Sequence, residues 1–364
     1  MPELPKKLPI QKKSFSLDDF KKKTGSIDVP DKKTEFIPLS SAFKKGTGLP
    51  GIPKGYTTLF RGFSNTGKST ALCETLVAAQ KLGILPIIID TENNLGRERL
   101  KAMGFDWDGG FYIEIDNEFL LEKFGKAKEP KKMEASIEDL ADAIHFYLDK
   151  QESGELPFDI LFAIDSLGTL DCDMTVRAKL NETGQNNMWN AGAFERAFKS
   201  ILNYRIPNSR KTTKQYTNTL IGVQKIWLES NPVGQPTVRH KGGDAFLFGA
   251  RLIIHHGGKK SQGIKYISAI SKGTEISFGI QTNIESVKTQ IDGDYGGISI
   301  QGDIISTPHG FIGTSPEEIA EYKKNHLSYF RDKLGSDLKE SDIETKVDIS
   351  AMDDDEAKAI FNEM

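Results

Sequence analysis

Little in this sequence points toward a lipid or an oxidising compartment. It holds only two cysteines, Cys73 and Cys172, in 364 residues. They can build neither a disulfide framework nor a four-thiolate zinc site, and a reducing compartment suits them. The longest apolar run, Ile84 to Ile89, falls far short of the roughly 20 residues that span a bilayer. The N-terminus alternates lysine and proline and lacks the apolar core of a signal peptide. No sign of charge dominates: 48 Lys+Arg against 51 Asp+Glu leave −3, so no global positive field advertises nucleic acid. These absences exclude membrane, secreted-disulfide and collagen-like classes. What remains is a soluble intracellular globular chain with room for one large domain or two ordinary ones.

What is present is unevenly placed. Residues 1–33 carry nine lysines and five acids, and residues 336–364 carry ten acids and three lysines. Both ends are polar and weakly periodic, so they read as arms or as plain solvated termini. The organisation expected is a basic N-terminal arm (1–34), a core (35–310), a C-terminal helix (311–335) and an acidic disordered tail (336–364). Within the core, Thr57 to Arg61, Ile84 to Asp90, Asp159 to Asp165 and Asn218 to Gln224 read as strands. The second and third are continuous apolar runs that end in an acid, the pattern of strands buried on both faces. Ser69 to Lys81, Ser136 to Lys150 and Ala191 to Tyr204 have helical periods between them. This alternation predicts an α/β fold, with a mainly parallel central sheet and helices on both faces. Past residue 245 the strand candidates are close-spaced: Arg251 to His255, Lys265 to Ile270, Gly279 to Ile284 and Gly297 to Ile300. They predict an antiparallel extension at the C-terminal side. A last helix should start at Ser315-Pro316-Glu317-Glu318 with a capping box and run to Leu334.

The strongest signal is Gly62-Phe63-Ser64-Asn65-Thr66-Gly67-Lys68-Ser69, which matches G-x-x-x-x-G-K-[ST] between a strand and a helix. Glycines let the backbone fold into a nest of N–H groups around phosphate oxygens. The helix start adds favourable partial charge. Lys68 reaches the outer phosphates, and Ser69 can ligate magnesium, with Thr70 beside it. Asp165 ends a buried strand, where an open parallel sheet gathers ligands; it suits the magnesium hydration shell, or a helix cap. Glu92 lies just past the neighbouring strand, where a carboxylate can deprotonate an attacking water, or it is a surface loop acid. Gln224 ends the next strand in a neutral amide that can bond a terminal phosphate oxygen, or simply face a loop. His255-His256 reads as a strand-end pair, since no third metal ligand accompanies it. The segment Pro207 to Gln215 looks like an insertion before the last parallel strand.

These residues together resemble the RecA recombinase family. The resemblance is carried by Thr47-Gly-Leu-Pro-Gly-Ile-Pro-Lys-Gly55, the phosphate loop, Ile89-Asp-Thr-Glu92, Arg99-Leu-Lys-Ala-Met-Gly-Phe-Asp106, Asp165-Ser166, Gln224 and Gly242-Gly243-Asp-Ala245, in that order. It covers roughly residues 34–310 and is closest in character to the UvsX type of large tailed phages. It implies a RecA-like P-loop ATPase core that uses ATP and Mg2+, with Glu92 as the base and Gln224 coupling nucleotide to the loop that follows. It implies filaments on single-stranded DNA, pairing with double-stranded DNA, and help from a single-strand-binding protein and a mediator. The setting implied is cytoplasmic, the host cytoplasm if the protein is phage-encoded, with no membrane partner. Two DNA loops would carry Arg177, Lys179 and Trp189, then Lys225, Trp227, Arg239, His240 and Lys241; the tryptophans would stack on bases or pack inside. Arg99 stands where the family has an aromatic residue over the adenine. Lys272 is the one lysine found for the charge that crosses the subunit interface. The basic arm would pack on a neighbouring subunit, and the acidic tail would compete with DNA for the basic loops. A ring-forming replicative helicase and an ATP-binding scaffold with little turnover are the competing readings. Against the first, the core starts near residue 35; against the second, Lys68, Asp165 and Glu92 are intact.

Overall fold

The computed structural model describes residues 29–180, 186–229, 237–240, 244–258 and 263–348. A short antiparallel pair, β1 (Phe36–Pro38) and β2 (Gly51–Pro53), flanks helix α1 (Ser41–Thr47). The main sheet then collects β3 (Thr57–Gly62), β4 (Leu85–Asp90), β5 (Ile113–Ile115), β6 (Ile160–Asp165), β7 (Asn218–Glu229) and β9 (Leu252–His256), with β8 (Thr237–His240) folding back on β7. Across the sheet the parallel strands run in the order β9-β3-β7-β6-β4-β5. Antiparallel β11 (Thr274–Thr289), β12 (Gln301–Thr307) and β13 (Gly310–Ile312) extend it beyond β9. Strand β10 (Lys265–Ser271) pairs with the first half of β11, and β14 (Glu344–Asp348) pairs with β10.

Alternation of side chains decides which helices cover which face. In β6, Phe162 and Ile164 join one core cluster, and Leu161 and Ala163 the other. The first face packs under α4 (Ile137–Glu152) and α6 (Asn186–Ser200), the second under α2 (Lys68–Lys81). Fully buried Phe162 would cost about 3–5 kcal/mol if cut to alanine. Helix α4 starts with a complete capping box, Ser136 with Asp139. Among the described residues no helix is long and apolar enough to cross a membrane.

Four local expectations change. No strand forms over Gly297 to Ile300; the strand starts at Gln301, and Ile300 accepts from Ser286 instead. The last helix is two, α8 (Pro316–Asn325) and α9 (Leu327–Leu334), broken at His326 with φ −117°. At the start of α8 Glu318 N–H donates to Ser315 Oγ, the Ser315 backbone N–H helps hold the Glu318 carboxylate, and that carboxylate also pairs with Lys45 at 2.6 Å. Residues 344–348, counted with the acidic tail, form β14, where Ile267 of β10 faces Val347. The insertion gains a role. Lys211 pairs with Asp31 at 2.9 Å, and Arg210 lies 4.2 Å over the Tyr56 ring while donating to Asp292. It clamps the segment that leads into β1 against the core.

A third core cluster, with Phe278, Tyr322 and Phe330, closes the antiparallel end. Beside it the rings of His309 and His326 stack with centroids 3.8 Å apart. Burial pushes both imidazoles down, His309 to about 4 with the His326 charge adding to it. Unfolded histidine binds its proton near 6.5, so the unfolded chain takes up protons first and stability falls as pH drops from about 6.5 toward 4. His326→Phe keeps the stack without the charge. Thermal melts at pH 7 and pH 5 should show a smaller acid-induced drop in Tm for this variant than for the unaltered protein; an equal drop would count against the stack as its source.

Candidate phosphate-binding site

The phosphate loop joins β3 to α2, and its shape follows from two glycines. Gly67 caps the helix at φ 86°, a left-handed conformation that costs a side chain energy. A Cβ on Gly62 would sit 2.1 Å from the His256 carbonyl oxygen and 2.9 Å from Thr66 Oγ1. Only glycine lets β9 approach β3 that closely under the loop. Thr66 Oγ1 donates to the Phe63 carbonyl at 2.8 Å, and the Lys68 ammonium donates to the same oxygen. Lys68 is buried, and burial pulls its pKa down to about 8, against the opposing pull of Asp165.

Neighbouring strands β4 and β6 pair Asp90 with Asp165 at their carboxyl ends. Ser69 Oγ donates to Asp165 Oδ2 at 3.2 Å. Burial first, then the nearby charges of Glu92 and Asp90, push Asp165 up to about 6. A hydroxyl and a carboxylate side by side, with two further acids near them, fit a hard divalent cation of the magnesium type. Asp90 does a different job. Its carboxylate accepts from the backbone N–H groups of Glu92, Asn94 and Leu95, which fixes the loop carrying Glu92. Ser166 Oγ donates to Glu92 Oε1. Thr91 ties the two strand ends together, its N–H donating to Asp165 O at 2.9 Å and its hydroxyl to Ser166 O at 2.9 Å. Gln224 is buried on β7, level with Arg61 of β3. Arg99, on α3 (Arg97–Ala102), donates to the Thr70 hydroxyl beside the loop and to Ser306 Oγ at 3.4 Å.

This fold, with a phosphate loop at the carboxyl edge of its parallel strands, can be set beside known proteins. Protein RecA of Streptomyces rimosus is 28% identical over 323 residues, covering 82% of this chain and 73% of that protein. Protein RecA of Streptomyces coelicolor is 26% identical over 330 residues, covering 84% and 75%. Protein RecA of Aquifex pyrophilus is 34% identical over 85 residues, 23% of this chain, and the match spans 24% of that protein's length. These matches support a RecA-family protein. No family model matches the chain.

In this RecA-like core the residues expected to meet DNA are scattered over helices and a hairpin. Arg177 and Lys179 lie on α5 (Asp173–Leu180), where Arg177 pairs with Glu129 at 2.9 Å. Trp189, on α6, packs against the first core cluster rather than standing free. The polar loop expected after Gln224 is in large part strand: β7 runs on to Glu229 and pairs with β8. Ile226, Trp227 and Leu228 favour extended backbone, and Ile226 turns inward while Lys225 and Trp227 are exposed. Trp227 faces Arg239 across the hairpin, Arg239 pairs with Glu229 at 2.5 Å, and His240 meets Asp244 at 3.2 Å. Lys241 lies outside the described residues. Lys272 sits at the β10–β11 turn with φ 50°, where its charge is felt by Asp342.

Sequence reasoning missed the far wall of the site. Phe311 lies where a Cβ on Gly67 would meet it at 3.1 Å, and its N–H donates to Glu74 of α2. Thr70 bonds Ser306 at 2.5 Å. No local signal marks these contacts, because they join residues more than 230 positions apart. If Ser69 and Asp165 share a magnesium ion, Asp165→Asn should lower nucleotide affinity in magnesium and leave the affinity in EDTA unchanged. Titration of a fluorescent nucleotide in both buffers checks this; equal affinities for variant and parent in magnesium would remove Asp165 from the metal site.

Proposed function

We propose that this protein is an ATP-dependent DNA recombinase that assembles on single-stranded DNA and promotes homologous pairing and strand exchange. The observation that carries the reading is the convergence of Lys68, Ser69, Asp165 and Glu92 on one edge of the parallel sheet. The loop Gly62, Phe63, Ser64, Asn65, Thr66 and Gly67 would cradle the phosphates with backbone N–H groups, and Lys68 would hold the outer ones. Magnesium, held through Ser69 and Asp165, would neutralise charge on the phosphates. Glu92, oriented by Ser166, would take the proton of the attacking water as the bond to ADP breaks. Arg99, Ser306 and Thr70 would border the rest of the nucleotide. Gln224 would carry the state of the terminal phosphate into β7 and its hairpin.

Watson–Crick pairing can supply sequence recognition in such a reaction, so the protein needs only backbone and stacking contacts. Trp227, Arg239 and His240 would offer these from the hairpin, Arg177 and Lys179 from α5, and Lys241 would add to them from outside the described residues. Self-assembly is supported by Phe248, which is 79% exposed on the short helix α7 (Ala245–Gly249); a subunit contact would cover it. Lys272, on an outer turn, would serve a neighbouring subunit rather than its own. The UvsX-like character, the cytoplasmic setting and the need for a mediator belong to the same proposal.

Electron microscopy with single-stranded DNA and a slowly hydrolysed ATP analogue should show helical filaments that Lys68→Ala abolishes. Closed rings would favour a helicase instead. Glu92→Gln should cut DNA-stimulated ATP hydrolysis by at least about 100-fold, the scale of general-base loss, while filaments still form. Similar negligible turnover in both proteins would point to a scaffold.

A further inference from the structure

The parallel register places three residues at one level of the sheet. Gly62, first residue of the phosphate loop, pairs with Lys225 of β7 on one side and with His256 of β9 on the other. Residues paired across parallel strands point to the same face. Two positions back, Phe60, Val223 and Ile254 are likewise level, and all three lie in the core cluster beneath α2. Lys225, Gly62 and His256 therefore leave the sheet on the face over which the phosphate loop folds, as the approach of Thr66 to Gly62 also shows. His256 is sealed in, edge-on to Phe60 and stacked on Phe311. Lys225 is exposed, so its four-carbon stem can reach the mouth of the loop.

We propose that Lys225 is a second cation of the phosphate site, supplied by the same chain, and that it contacts the terminal phosphate of bound ATP rather than DNA. This rests on the ATP-site reading above. One further observation fits. Within one subunit Lys68 is the buried cation facing Asp165 and Glu92, and Lys225 is the other lysine whose charge it feels. Because Lys225 follows Gln224 directly, amide and ammonium leave opposite faces of one strand end, and the loss of the terminal phosphate would be felt by both.

The test is nucleotide binding by the full-length protein in magnesium without DNA, comparing the parent with Lys225→Gln, Lys225→Arg and Lys68→Ala. Lys225→Gln should weaken binding of a slowly hydrolysed ATP analogue about tenfold, the low end for a hydrogen bond to a charged group at an exposed position. ADP affinity should stay within about twofold, and Lys225→Arg should keep most of the preference for the triphosphate. Unchanged analogue affinity in Lys225→Gln, or equal losses for the analogue and ADP, would each overturn the proposal. Lys68→Ala separates the two levels. If it weakens both nucleotides while Lys225→Gln weakens neither, only this inference falls; if Lys68→Ala changes nothing, the ATP-site reading falls with it.

Discussion

Burial of the parallel strands on both faces is the constraint from which the rest follows. Every residue of β4 is buried, and so are Ile160 to Ile164 in β6. With both faces covered, a ligand can meet these strands only at their ends, and the carboxyl ends are where the chain turns sharply into loops and helix starts. The acids that close the apolar runs, Asp90 and Asp165, are therefore neighbours by necessity: the same register that fills the core sets them side by side. The charge they bring costs energy unless it is paired, and the structure meets that cost with hydroxyls, backbone N–H groups and Lys68.

This explains why the site was partly legible in the sequence. The phosphate loop is one contiguous segment whose geometry is fixed by its own glycines, and the acids announce themselves by ending apolar runs. The sheet class was legible for the same reason, since a doubly buried strand has a composition of its own. What escaped depends on pairing between distant segments. Residues 344–348 look like charged tail until β10 supplies a partner. The hairpin after Gln224 looks like a polar loop because Lys225, Glu229, Arg239 and His240 colour it, while the strand-forming Ile226 and Trp227 decide its backbone. Arg99 finds Ser306 across more than 200 residues. The break at His326 coincides with a ring stack that no helical period records.

Polar groups in the site form a graded series rather than a single charge pair. Lys68 is held low by burial, Asp165 high by burial and by its acidic neighbours, and Glu92 stays at the surface on a loop pinned by Asp90. The hydroxyls of Ser69, Thr91 and Ser166 bridge these groups without adding charge. Such a site is poised to accept both an anion and a cation, each reducing the cost of burying the group that holds the other.

The position of β3 has a consequence in time as well as in space. Its partners are β7 and β9, and both emerge long after it. At a synthesis rate of about 5–20 residues per second, the ribosome needs roughly 10–40 s after making β3 to finish β9. Until β7 is made Leu59 and Phe60, both fully buried in the finished molecule, have no strand to lie against, and until β9 is made the close approach at Gly62 does not exist. Contacts of such long sequence separation fold slowly. The phosphate loop is thus made well before the strands that complete its surroundings, and the nascent chain must keep its central apolar strand from pairing elsewhere until they arrive.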